Sequence, residues 1–323
     1  MKLIIQIPCY NESATLPLTL KELPRKVKGF QKVEWLIIND GSKDNTVEVA
    51  KKCGVNHIVS FSKNKGLAEV FMAGINECLR LGADVIVNTD ADNQYNAADI
   101  PKLVEPILKS KADIVIGSRP VFKISHFSFI KKILQKTGSL AVRLFSNTTV
   151  EDAPSGFRAL SRDAAMKINV FGRYTYTIET IIQAGWKNMT IVSVPISTNP
   201  DLRPSRLVKS IFSYVKKSVS TILRFYVIYR PFFFFMTAGI ILLSAGILIG
   251  LRFLYFFFIL DDGNGHNQSL ILSAILIGMG FQTVIVAFVA DLISINRKIL
   301  EDLRYRVIKL ENSSVLKSRS KLK

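Results

Sequence analysis

The sequence predicts an α/β chain: a mostly parallel, Rossmann-like sheet, then a basic juxtamembrane amphipathic helix and two transmembrane helices. Three observations predict it. Short β-rich apolar runs alternate with helical segments over about the first 230 residues. Two uncharged runs, 231–251 with 21 residues and 269–290 with 22, lie near the C-terminus. At 1.5 Å rise per residue each is roughly 30 Å long, the thickness of a bilayer core. Finally, 43 Lys and Arg stand against 25 Asp and Glu, a net charge of +18, and basic residues crowd the flanks of the apolar runs. With 49% hydrophobic and 21% charged residues, the chain is neither disordered nor collagen-like.

Taken in order, residues 3–7, 35–38, 58–61, 85–87 and 114–116 read as buried strands. Residues 46–53 read as a helix stopped by Gly54, and 67–81 as one stopped by Gly82. A third helix spans 99–109, with Asp99 as N-cap and Pro101 in the first turn. Residues 157–160 and 190–194 read as further short strands. Strand–helix alternation implies parallel strands covered on both faces, with right-handed crossovers. The N-terminal apolar stretch is too short for a signal peptide. Cys9, Cys53 and Cys78 have no metal-type spacing, and an odd number argues against a disulfide framework.

The basic residues set the expected topology. Residues 203–230 hold seven Lys/Arg and no acidic residue, and 291–323 hold nine Lys/Arg against four acidic residues. The connector 261–268 holds two acidic residues and no basic one. Positive flanks stay cytoplasmic, so residues 1–202 and the tail 293–323 are expected inside, with 231–292 crossing the cytoplasmic (inner) membrane twice. The pattern Gly246-Ile247-Leu248-Ile249-Gly250 permits close helix approach, between protomers or between the two spans.

Four polar motifs follow strands: Pro8-Cys9-Tyr10-Asn11-Glu12, Asn39-Asp40-Gly41-Ser42, Asp90-Ala91-Asp92 and Gly117-Ser118-Arg119. Carboxyl ends of strands are where open α/β sheets bind ligands. Asp90 and Asp92 at a strand end are hard oxygen ligands suited to Mg²⁺ or Mn²⁺ bridging to phosphates, with Gln94 a third oxygen. Glu12 and Asp40 can accept hydrogen bonds from a nucleobase or ribose. Lys65, in Asn64-Lys65-Gly66, is a candidate phosphate neighbour. Arg119, Arg158, Arg203 and Arg206 are multi-donor cations suited to phosphate. On spacing alone Asp152 lies in a turn. His57, His126 and His266 form no cluster.

Together these motifs resemble the family 2 glycosyltransferases with a GT-A fold, most nearly those acting on polyprenyl phosphates. The resemblance runs from Ile7 to about Val208 and continues through the two spans. It implies that Pro8, Tyr10, Glu12, Asp40, Lys65, Asp90, Ala91 and Asp92 meet a nucleotide-sugar, and that Asp90, Asp92 and Gln94 bind Mg²⁺ or Mn²⁺. The segment Asp152-Ala153-Pro154-Ser155-Gly156-Phe157-Arg158 is similar to the family's Asp-x-x-Ser-Gly-Phe-Arg, which gives Asp152, with Arg119, a catalytic role. Ser155, Arg158, Arg203 and Arg206 would face the acceptor phosphate. The implied reaction is inverting transfer of a sugar from a UDP- or GDP-linked donor to polyprenyl phosphate. Membrane lipids and a second protomer are expected partners, and nucleic acid is not. A polysaccharide synthase is the alternative, yet Gln183-Ala184-Gly185-Trp186 lacks the Arg of that class's Gln-x-x-Arg-Trp segment. A non-enzymatic membrane scaffold would not need Asp90, Asp92 and Gln94 at a strand end.

Overall fold

The computed structural model describes residues 1–120, 129–172, 175–200, 211–259 and 267–321. The elements run β1 (Lys2–Cys9), α1 (Leu16–Glu22), β2 (Lys32–Asn39), α2 (Thr46–Lys52), β3 (His57–Ser60), α3 (Leu67–Arg80), β4 (Val85–Asn88), α4 (Ile100–Leu108), β5 (Ile114–Ser118), α5 (Phe129–Ser146), β6 (Arg158–Ser161), α6 (Arg162–Lys167), α7 (Thr177–Trp186), β7 (Ile191–Pro195), α8 (Ile211–Tyr229), α9 (Pro231–Ile259) and α10 (Asn267–Lys321). Among the described residues the strands form one seven-stranded sheet in the order β3-β2-β1-β4-β6-β5-β7. All pairings are parallel except those of β6, which runs antiparallel to both β4 and β5.

That topology decides where the site forms. Register pairs Cys9 with Asn39, Gln6 with Asn88 and Ser118 with Pro195, so the parallel strands end along one edge. Because β6 is reversed, its first residue, Arg158, lies at that same edge, paired with Asn88 and Ile116. The loop entering β6 therefore joins the loops leaving β1, β2, β4 and β5.

The core lies on both faces of the sheet. On one face Leu3, Ile5 and Ile7 share a buried cluster with Leu16 and Leu20 of α1 and Leu103, Val104 and Ile107 of α4. Across the sheet α3 buries Val70, Phe71, Ile75, Cys78 and Leu79. Full burial of a side chain such as Phe71 is worth about 2–3 kcal/mol. At Gly74 a Cβ would strike the Gln6 side chain and come within 2.8 Å of Ile38 Cδ1, so α3 lies directly on β1 and β2. Gly54 and Gly82 have positive φ, +70° and +82°, and end α2 and α3 as their sequence positions predict. Asp99 differs from its expected role. It occupies the position before α4, but its carboxylate accepts from Ser197 N at 2.6 Å and pairs with Lys102, while Asn96 caps a preceding 3₁₀ turn, Ala97–Asp99. The three cysteines are unpaired.

The chain divides into two compact units: Met1–Ile222 with Tyr305–Lys323, and Leu223–Arg304. Helices α9 and α10 have the length and apolar composition to cross a membrane. Helix α10 runs unbroken past residue 290, where the sequence reading ends the second span. After Gly280 it contains no Gly or Pro, and Arg297 and Glu301 form an i,i+4 pair. Within the second unit α9 meets α10 along small residues. A Cβ at Gly246 would lie 2.8 Å from Ile277 Cγ1, one at Gly280 2.8 Å from Leu243 N, and Ser273 Oγ donates to Gly246 O at 2.7 Å. Of the two partners considered for the Gly246–Gly250 pattern, the structure places the second span of the same chain against Gly246.

Candidate active site

The first two loops are fastened to each other. Asn11 takes φ +55° after β1. Its N–H donates to Ser42 Oγ at 2.9 Å, Glu12 N to Thr46 Oγ1 at 3.0 Å and Ser13 N to Asp44 Oδ2 at 3.1 Å. In return Lys43 N donates to Asn11 Oδ1 at 2.8 Å. Burial alone would raise the Asp44 carboxyl, but the hydrogen bonds from Thr46 and Ser13 hold it down at about 2. Sequence reasoning missed Asp44 and Thr46; an Asp followed two residues later by Thr at the mouth of a helix was the available signal. Pro8 and Glu12 are buried and Tyr10 is exposed, so Tyr10 presents its ring at the edge.

Asp40 is buried, and its carboxylate accepts from Lys65 N at 2.7 Å and Gly66 N at 3.0 Å. It thereby holds the loop before α3. The adjacent Gly41 has φ +67°, and a Cβ there would meet Lys63 backbone at 2.6 Å, so only glycine fits. Lys65 extends outward, its Nζ paired with Glu69 at 3.3 Å and set over the Phe61 ring.

Asp90, Ala91 and Asp92 leave β4 at the centre of the edge. Thr19 Oγ1 of α1 donates to Ala91 O at 3.0 Å. Asn93 adopts φ +59°, and Gln94 N donates to Asp92 Oδ1 at 3.3 Å. Burial and then the Asp92 charge push the Asp90 carboxyl up, against the pull of Arg119 and Arg158. A cation between the two carboxylates would relieve that repulsion, and the carboxylate and amide oxygens of Asp90, Asp92 and Gln94 are the donor set that Mg²⁺ or Mn²⁺ takes. Two further links hold the loop: Asn93 and Asn199 donate to opposite oxygens of Glu22 at 3.1 and 3.0 Å, and Asn199 N donates to Gln94 O at 2.9 Å.

The loop into β6 carries Asp152, which is buried. Arg119 grips it with Nε at 2.7 Å to Oδ2, Nη2 at 3.0 Å to Oδ1 and its own backbone N at 3.2 Å. Burial lowers the Arg119 pKa, but Asp152 outweighs that and fixes the guanidinium as a cation. Ala153 N donates to Ser139 Oγ of α5 at 3.2 Å, which ties this loop to α5. Gly156 sits under Asp90: a Cβ there would be 3.0 Å from Asp90 Oδ2 and 2.9 Å from Tyr176 Oη. Tyr95 Oη accepts from Gly156 N at 2.9 Å, and Asn88 Nδ2 donates to Gly156 O at 2.9 Å and to Tyr176 Oη at 2.8 Å. Tyr95, Asn88 and Tyr176 went unnoticed in the sequence because buried tyrosines and a strand Asn look like core.

One expectation changes. Arg158 does not reach the edge as a phosphate ligand; it is 1% exposed, with its guanidinium bonded to Thr177 O, Thr180 Oγ1 and Ser155 O. Its strand lies between β4 and β5, so a side chain there is enclosed on either face. Arg203 and Arg206 lie outside the described residues. Ser155 is fully buried, and its Oγ has no partner among the described residues.

Residues 4–168 match the family model described as glycosyl transferase family 2. The chain is 30% identical over 207 residues to an undecaprenyl-phosphate mannosyltransferase of Micrococcus luteus, covering 61% of this chain and 83% of that one. It is 30% identical over 227 residues to a dolichol-phosphate mannosyltransferase of Pyrococcus furiosus, covering 67% and 62%. Among solved structures, glucosyl-3-phosphoglycerate synthase of Mycobacterium tuberculosis, in a complex with Mn²⁺, UDP and product, superposes with a TM-score of 0.53 at 19% identity, over 68% of this chain and 79% of that one. That likeness gives the fold, a GT-A sheet with one reversed strand. A sheet edge lined by a paired-carboxylate loop and a buried Arg–Asp pair, and a family model that spans half of the chain, lead to one assignment: this chain belongs to glycosyl transferase family 2.

Proposed function

We propose that this glycosyltransferase moves a sugar from a nucleotide-sugar, UDP- or GDP-linked, to a polyprenyl phosphate, with inversion at the anomeric carbon. The observation that carries the reading is the meeting, at one sheet edge, of the Asp90–Asp92 loop with the Arg119–Asp152 pair, in a chain with two helices of membrane-spanning length. The names of the relatives support the acceptor class. So does α5, whose Leu140 and Leu144 are 46% and 76% exposed on a helix with no acidic residue.

In this reading Tyr10, Glu12 and the Asp40-held loop with Lys65 bind the nucleoside. Asp90, Asp92 and Gln94 would hold a divalent cation, which when bound offsets charge on the leaving diphosphate. Arg119, fixed as a cation by Asp152, acts on the same developing charge. An acceptor phosphate oxygen forms the new bond to the anomeric carbon as the bond to the nucleoside diphosphate breaks. A phosphate monoester has a second pKa near 6, so the nucleophile is already largely anionic at neutral pH. No strong base is required, and Asp152, with both oxygens committed to Arg119, serves to orient. Arg203 and Arg206 are proposed to meet the acceptor phosphate at the bilayer surface. The catalytic unit is placed in the cytoplasm by the positive flanks.

The test is the full chain in detergent with a panel of UDP- and GDP-sugars and undecaprenyl or dolichyl phosphate, with Mg²⁺ or Mn²⁺ or with chelator. A lipid-linked sugar that needs metal is expected, and Asp92→Asn should remove most of it. Extension of a glycan without any lipid-phosphate product would favour the polysaccharide synthase instead.

A further inference from the structure

One polar side chain interrupts the apolar run of β1. Gln6 stands in Leu3-Ile4-Ile5-Gln6-Ile7 and is 0% exposed, like the four residues around it. An apolar side chain there would avoid the cost of burying an amide, so the use of the amide is read from its partners. Gln6 is in register with Asn88 of β4, and its Nε2 donates to Asn88 Oδ1 at 2.9 Å. On its other side Cys78 Sγ of α3, a weak donor, faces Gln6 Oε1 at 3.9 Å. Gly74 of α3 backs the same amide: a Cβ there would come within 3.0 Å of Gln6 Cδ, which leaves the side chain no room to swing.

Asn88 is also fully buried, and its Nδ2 serves two acceptors, Gly156 O at 2.9 Å and Tyr176 Oη at 2.8 Å. A backbone carbonyl can only accept, so Asn88 must turn its NH₂ toward Gly156 and its oxygen toward β1. The residue beside it on β1 must then be a donor. With an apolar residue at position 6 that oxygen would be unmet in a dry core, and an amide turned the other way would set oxygen against oxygen at Gly156. The ring of Tyr176 stacks on Phe71 of α3 at 3.9 Å, so one helix supports both ends of the chain of contacts.

We propose that Gln6 is a positioning residue for sugar transfer: by fixing the orientation of the Asn88 amide it holds Gly156 and Tyr176 beneath Asp90. Gly156 lies so close that a Cβ on it would be 3.0 Å from Asp90 Oδ2, and its loop carries Asp152, so its placement sets the spacing between the Asp90–Asp92 carboxylates and the Arg119–Asp152 pair. Gln6 itself is enclosed and touches no substrate. A polar network that is satisfied throughout and shut off from water has one arrangement, which is what a fixed spacing requires. The inference rests on the transfer reaction proposed above.

The test is formation of lipid-linked sugar by the full chain in detergent, comparing the natural sequence with Gln6→Met, Asn88→Leu and the double variant, each rate divided by the folded fraction read from tryptophan fluorescence. Gln6→Met should lower kcat about 10- to 100-fold, the effect of a small misplacement at the reacting centre. Its KM for nucleotide-sugar should stay within about 2-fold, as for an interaction used only in the transition state. Because Gln6 acts through Asn88, the double variant should turn over at the rate of Asn88→Leu alone. Ile4→Val is the control: Ile4 is buried two residues away on the same face of β1, and the change should cost stability while leaving kcat per folded molecule unchanged. A natural kcat in Gln6→Met, losses that multiply in the double variant, or an equal loss of kcat in Ile4→Val overturns the positioning role. If Gln6→Met does not fold, the double variant decides against Asn88→Leu: equal rates support the role and a slower double variant overturns it. A natural sequence that makes no lipid-linked sugar overturns the proposed function and the inference with it, whereas natural turnover with an unchanged Gln6→Met overturns the inference alone.

Discussion

Replacing Asp152 by Asn keeps the side chain's shape and removes its charge. The carboxylate now receives three donors from Arg119, at 2.7, 3.0 and 3.2 Å, with the Asp side chain 1% exposed and the Arg side chain 12% exposed. Removing one member of a buried ion pair costs about 3–5 kcal/mol, because the other charge stays desolvated. Asn retains one oxygen for one donor, and Arg119 keeps some water contact, so about 2–3 kcal/mol is expected here. For a unit of more than 200 residues that is a fall in Tm of roughly 5–10 °C. Intrinsic fluorescence of the full chain in detergent reads it, since Trp35 and Trp186 both lie in the catalytic unit. The decisive number is a coupling. Asp152→Asn, Arg119→Met and the double variant should show an interaction near 2 kcal/mol, the double variant being more stable than the sum of singles implies. A coupling under about 0.5 kcal/mol would mean that water screens the pair like a surface contact, and the orienting role given to Asp152 would fall with it. On the chemistry side, Asp152→Asn should keep its affinity for nucleotide-sugar while transfer collapses; equal loss of donor binding would move Asp152 into the nucleotide site.

Glu22→Ala should loosen the metal loop by releasing Asn93 and Asn199, raising the Mn²⁺ concentration for half-maximal activity several-fold at unchanged Tm; an unchanged metal titration would deny Glu22 this role. For Asp44 the folded carboxyl sits at about 2 against an ordinary 3.8, so its stabilisation is present above 3.8 and lost as pH falls through about 2. The full interval is at most ~2.4 kcal/mol, and partial exposure reduces it to about 1 kcal/mol; Asp44→Asn should lower stability by that amount at neutral pH, with the gap to the natural sequence closing by about pH 2. Gly246→Val would drive a side chain into Ile277, 2.8 Å from the first added carbon, and should lower the resistance of the α9–α10 unit to denaturation in SDS, while a Val at Gly278, where nothing lies within 4 Å, should not.

The sheet was readable because parallel strands enclosed on both faces are apolar throughout, and residues 3–7, 35–38 and 114–116 needed no alternation to be recognised. The loops of the site were readable for a related reason: carboxylates and an arginine placed just after such strands have no core role to play. What failed was direction. Nothing in Phe157-Arg158-Ala159-Leu160 states that this strand runs against its neighbours, and so nothing in the spacing separates Asp152 from an ordinary turn. Arg158 was misplaced for the same cause. In a half-buried strand next to Phe157 it would have faced water, but between β4 and β5 both residues are enclosed, at 0% and 1% exposure. Helix α10 shows the opposite limit, since hydropathy marks where lipid contact ends and says nothing of where the helix ends.

The reversed strand also explains how two chemically distinct halves come to share one edge. β1, β2 and β4 deliver Glu12, Asp40, Asp90 and Asp92 from their carboxyl ends. A parallel β6 would present its own carboxyl end here and send the Asp152 loop to the far side of the sheet. Reversal brings in its amino end, so Asp152, Ser155 and Gly156 arrive opposite the carboxylate loop, and Gly156 lies close enough to Asp90 that a single methyl group would intrude. The polar contacts of Asn88, Tyr95 and Tyr176 on Gly156 are then the joint between the halves. Their burial serves position: a joint exposed to water would exchange partners, and the spacing between the carboxylates of β4 and the Arg119–Asp152 pair would no longer be set by the sheet.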